Sequence, residues 1–261
     1  MNYITPVEHK LTGFRNYTES IEQFFQQREN HLEDLVQASI EKGEDPREWW
    51  AEDYWLTTET NLMRMSLFLS LYAFLEVILK ELCRFEQVGR GISKSLTDLQ
   101  GGVIDRAKTY LKKEIGVDFP GKSKEWNEIK DYQKLRNHLA HNGLRLTYED
   151  RKYKDLERFI KRHSELHHRN LEISNTRLEL SQEDVEELKS YKPSKKDQIM
   201  HEGFLGSGVL NSMGEDNIEF ISDFCKEVIE TIDSYWKQLI EQVQCVNNLP
   251  QRDQGGRENY S

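Results

Sequence analysis

The sequence predicts an all-α fold. Apolar residues recur at helical spacing over long stretches, and only 5 Pro interrupt 261 residues. The apolar–polar alternation of a β-strand occurs in one short segment. The chain is polar, 36% hydrophobic and 31% charged, but 11 Phe, 11 Tyr and 5 Trp give it the aromatic mass for a packed interior. Its length permits one large domain or two small ones.

The elements follow in order. Tyr17 to Glu41 is predicted as a helix capped by Thr18, with Ile21, Phe24, Phe25, Leu32, Leu35, Val36 and Ile40 at a period near 3.6. GEDPREWW, 43–50, is a turn, and Trp49, Trp50 and Trp55 are expected to pack at the helix junction rather than to stack on bases. Glu52 to Phe85 is the longest helical pattern. Its Leu67, Leu71, Phe74, Leu75, Ile78 and Leu82 form one stripe, and Phe68, Tyr72 and Leu79 widen it almost all round, which predicts a central helix.

The segment 97–115 is shorter and is interrupted at Gly101-Gly102, and DFPG, 118–121, is a turn. Ser123 to Asn142 is a helix with Trp126, Ile129, Tyr132, Leu135 and Leu139 on its apolar side, stopped by Asn142-Gly143. Tyr148 to His168 is another helix. NLEISNTRLEL, 170–180, alternates around Ser-Asn-Thr and predicts a small β-hairpin. SQED at 181–184 opens a short helix with a capping-box pattern. Residues 192–216 form a glycine-bearing loop, and Ile218 to about Cys245 is a last strong helix. A disordered tail over 246–261 completes the chain.

Composition also excludes several classes. The three cysteines lie far apart with no C-x-x-C pair, which argues against a disulfide framework or a thiolate zinc site and for a reducing, cytoplasmic setting. The N-terminus lacks the pattern of a signal peptide. LFLSLYAFLEVIL, 67–79, contains Glu76 and is too short to span a bilayer, so no membrane partner is expected. No phosphate-binding glycine loop is present. No cofactor and no metal is expected, since the His163/His167 pair in HSELHH lacks further ligands.

Charge is unevenly spread. Residues 106–169 carry 17 Lys+Arg against 10 Asp+Glu, leaving 19 against 36 elsewhere in a chain of net charge −10. Arg151, Lys152, Lys154, Arg158, Lys161 and Arg162 in that block are candidates to grip RNA phosphates. A solvated helix face with Asp155 and Glu157 interspersed is the alternative.

RNHLAHNG, 136–143, places an arginine, an asparagine and two histidines at a helix end. Cleavage of RNA by its own 2′-OH requires one proton removed and one delivered. Histidine titrates near neutrality and does either. A guanidinium can grip two oxygens of the charged phosphorane in a planar fork. Residues five apart on a helix lie about 140° apart around the axis and about 7.5 Å along it, so Arg136 and His141 do not share a face, whereas Asn137 and His141 do. An ordinary polar helix end is the competing reading. Arg136 would then pair with a carboxylate such as Glu76, and His141 would sit at the helix C-terminus as a favourable charge.

The apolar helix LFLSLYAFLEVILKEL followed by a helix ending in R-N-x-x-x-H resembles the HEPN family of all-α ribonucleases and RNA-associated domains. The resemblance covers roughly residues 55–245. It implies a HEPN-like helical domain over 51–245; residues 1–50, which it does not account for, are read as an N-terminal helical extension. It also implies catalytic roles for Arg136, Asn137 and His141. Beside them His138 is a candidate second proton-transfer group, with a packing or surface histidine as the alternative, and Glu76 is a candidate orienting acid, with a plain structural salt bridge as the alternative. The expected activity is metal-independent endonucleolytic cleavage to a 2′,3′-cyclic phosphate and a 5′-OH, in a toxin or phage-defence setting. The implied partners are RNA, a second copy of the chain whose motif shares one cleft, and an antitoxin or other regulatory protein. A tyrosine two residues after the His, which is modified in some members, is replaced here by Gly143. A non-catalytic interaction module that binds RNA or protein is the second function the resemblance allows.

Overall fold

The computed structural model describes residues 4–45, 49–146, 153–166, 171–175 and 216–248. The fold is mostly helical. Two compact units divide it, residues 1–133 with 225–261 and residues 134–224. The expected helix over 181–191, residues 192–215 of the expected loop and most of the tail lie outside the described residues.

In the first unit, α1 (Ile4–Lys42) and α2 (Trp50–Arg90) form an antiparallel pair. As residue numbers rise along one helix they fall along the other. Trp49 Nε1 donates to Ser39 Oγ over 2.9 Å, Arg28 pairs with Glu59, Arg64 pairs with Glu22 at 2.6 Å, and the Phe14 and Phe74 rings lie 5.5 Å apart. These contacts span about 37 Å of α1. The first helix begins at Ile4, well before the expected Tyr17, because the apolar spacing of Val7 and Leu11 continues its buried stripe upstream.

α2 is the centre of the unit, as its near-continuous stripe predicts. Leu67, Phe68, Leu71, Tyr72, Leu75, Ile78, Leu79 and Leu82 are all buried. By length and composition this helix could cross a bilayer, with an 18-residue window of mean hydropathy 1.8, but here that stripe is packed inside the unit.

After a break at Gly101, whose φ of +104° suits glycine, α3 (Val103–Tyr110) buries Ile104, Ala107 and Tyr110. It runs into one wider turn, Leu111–Ile115. The Ser123 hydroxyl accepts the Trp126 N–H at 3.1 Å and caps α4 (Lys124–Asn142). The last helix, α6 (Phe224–Asn247), buries an almost unbroken apolar face from Val228 to Val243. Trp126 and Tyr235 lie 5.6 Å apart, and Phe68 meets Tyr132 edge-on at 6.0 Å.

The second unit contains the end of α4, α5 (Tyr153–Leu166) and a three-stranded antiparallel sheet. β3 (Asp216–Phe220) is its central strand. It pairs on one side with β1 (Arg145–Leu146) and on the other with β2 (Leu171–Asn175), in the register Leu171 to Phe220. One expectation changes here. Ile218–Phe220, read as the start of the last helix, is strand: Ile218 and Phe220 are buried two residues apart, and the Ile218 N–H donates to Leu144 O at 2.9 Å. The helix starts only after a turn in which the Phe224 N–H donates to Ile221 O. In the alternating segment 170–180, read as a hairpin, Leu171–Asn175 is the strand β2, which pairs with β3 more than forty residues downstream. Residues 176–180 lie outside the described residues.

Candidate functional site

The motif occupies the last two turns of α4. Leu135 and Leu139 are buried and anchor one side of the helix. The residues between them project elsewhere, so the apolar spacing sets which polar side chains face water. Arg136 and Asn137 are half-buried, His141 is exposed, and His138 is 6% exposed.

Two side-chain contacts order this end. Arg136 Nη1 donates to Asn137 Oδ1 at 3.1 Å. The Asn142 amide nitrogen lies 3.2 Å from His138 Nδ1. The helix stops where Asn-Gly predicts. Gly143 has φ +62°, in the left-handed region, and its N–H donates to Leu139 O at 3.0 Å.

The two histidines therefore differ in what they can do. The exposed imidazole of His141 can meet a solvent-borne substrate. His138 is buried, with its ring nitrogen in contact with the Asn142 amide. Asn142 reads in the sequence as a stop signal, and its i, i+4 spacing from His138 is the sign that marks a side-chain pair. Glu76 is a half-buried residue of α2 in the first unit.

Of the basic candidates, Lys154, Arg158 and Lys161 are exposed on α5, and Arg162 belongs to the same helix. Arg158 pairs with Asp155, and Lys161 pairs with Glu157 at 2.7 Å. The hydrogen bond from Lys161 to Glu157 holds that ammonium above its ordinary pKa. Such exposed pairs are weak, so a phosphate can displace the carboxylates. Arg151 and Lys152 lie outside the described residues. Among the described residues no three His, Cys, Asp or Glu side chains group as a metal site would require.

No protein family, curated protein or solved structure matches the chain.

Proposed function

We propose that the protein is a HEPN-like, metal-independent endoribonuclease that acts in the cytoplasm as a homodimer. The observation that carries this reading is the exposed His141 imidazole one turn beyond a guanidinium already oriented by Asn137. His141 would take the proton from the attacking 2′-OH or give one to the departing 5′-oxygen. Arg136 would bind the non-bridging oxygens as charge builds on them. Because Arg136 and His141 point about 140° apart on one helix, a second copy of the motif is needed to bring both groups to one phosphate. The products would be a 2′,3′-cyclic phosphate and a 5′-OH. A toxin or defence role held in check by a regulatory protein is consistent with such an activity.

The test is cleavage of tRNA, mRNA and rRNA in excess EDTA. Wild type should cut and His141→Ala should not, with helix content and oligomeric state unchanged. Equal inertness of the two proteins would replace this reading with that of a non-catalytic binding module.

A further inference from the structure

The apolar stripe expected to build the core from α1 is only partly covered. Of Ile21, Phe24, Phe25, Leu32, Leu35, Val36 and Ile40, Phe25 is the one that is buried. Phe24 is 54% exposed. On the facing helix Trp50 is 64% and Trp55 48% exposed, with Tyr54, Leu62 and Met63 also open. The tryptophans expected to pack at the junction thus divide: Trp49 is tied to Ser39, while Trp50 and Trp55 face outward. Two antiparallel helices bury one seam between them, and apolar residues off that seam need a further layer.

The groove between the helices is already shaped for one. A hollow of about 520 Å³ is lined by Phe24, Phe25, Leu62 and Met63, and its wall is braced by the Arg28–Glu59 pair. A second of about 250 Å³ continues it past Leu32, Leu35, Trp49 and Leu56. A groove along an antiparallel helix pair takes the apolar ridge of a third helix.

Charge says what kind of helix. Residues 29–59 hold 10 Asp+Glu against 2 Lys+Arg, so this stretch carries −8 of the chain's −10. Its Glu33, Asp34, Glu41, Glu44, Glu52 and Asp53 are exposed. That field opposes RNA, anionic lipid and a second copy of the same surface, and it attracts a cation-bearing partner. We infer that this end of the α1–α2 pair is a docking surface for a basic amphipathic helix of another protein, seated in the groove with its apolar ridge against Phe24, Leu62 and Met63. The inference does not depend on the ribonuclease reading of α4.

The probe is a fluorescein-labelled synthetic peptide of leucine and lysine, with its leucines at i, i+3, i+4 and i+7, titrated with the full chain by anisotropy. Binding should weaken with salt. Glu52→Gln/Asp53→Asn should weaken it, and Phe24→Ser/Leu62→Ser should weaken it about tenfold. These positions are exposed, so circular dichroism should be unchanged. Hydrogen-exchange protection should fall on residues 20–35 and 49–63. A scrambled peptide of the same composition binding equally well would overturn the inference, as would affinity indifferent to the Phe24/Leu62 variant or no binding at all. Displacement of the peptide by oligouridylate from those same residues would overturn it in favour of nucleic acid. Dimers by light scattering that dissociate in Phe24→Ser/Leu62→Ser would overturn it in favour of a second copy.

Discussion

Asn142 holds His138 across one turn of α4, amide nitrogen to Nδ1 at 3.2 Å, and leaves His141 as the exposed imidazole of the motif. The two rings sit three residues apart, yet one belongs to the interior and the other to the surface. Their roles should separate on substitution.

His141→Ala should lower the rate of RNA cleavage at least about 100-fold, the usual contribution of a proton-transferring side chain. His138→Gln should keep the rate within a few-fold but lower the melting temperature, because a buried, bonded ring is replaced. Asn142→Ala should cost about 1 kcal/mol of stability. Rates and thermal melts on the same preparations check this, and an inactive but fully stable His138→Gln would return that residue to the chemistry.

Arg136→Lys should behave as a loss of function in cleavage assays despite keeping the charge. An ammonium cannot offer the planar fork, and the hydrogen bond to Asn137 Oδ1 that orients the guanidinium would change. A drop of about tenfold or more is expected, with Asn137→Ala giving a smaller one. Unaltered cleavage by Arg136→Lys would remove the bidentate role.

Glu22 and Arg64 join α1 to α2 through two hydrogen bonds, with side chains only 13% and 15% exposed. Removing one partner leaves a poorly solvated charge. Glu22→Ala should therefore destabilise the protein by about 2–3 kcal/mol, below the full penalty for a sealed pair. Urea denaturation measures it. A change below about 0.5 kcal/mol would mean that water reaches the guanidinium.

Burial pushes the thiols of Cys83 and Cys225 up from 9.0 to about 12, helped by the nearby carboxylates of Glu86 and Glu22 respectively, while Cys245 is exposed. One thiol should react quickly with a disulfide reagent in the native protein, and three after denaturation. A folded-state pKa above the unfolded value contributes stability that is complete below about pH 9 and is lost as pH rises toward about 12. Melting temperature should fall across that window, and Cys83→Ala/Cys225→Ala should flatten the fall.

Replacing both Lys154 and Lys161 by Gln should lower the salt dependence of RNA binding, by nearly one unit of slope for each phosphate that these ammonium groups neutralise. Filter binding across a salt series reads this directly. An unchanged slope would assign the docking of RNA to other cations.

Local physics made much of this molecule legible in its sequence. The stripe from Leu67 to Leu82 dictates a helix buried nearly all round, Ser123 and Asn142-Gly143 bracket α4, and Leu135 with Leu139 leave His141 on the outward face. Those signals act within one or two turns, so a linear reading suffices. Other features were settled by packing against partners distant in the chain. Ile218–Phe220 has helix-compatible neighbours, but becomes a strand because β1 and β2 flank it. His138 and His141 are the same residue type on the same helix, and burial alone distinguishes them. The periodic stripe of α1 reads as core, yet Phe25 alone of its seven residues is buried while four are half-buried and Phe24 and Ile40 are exposed, because periodicity specifies which residues share a face and not whether anything lies against it.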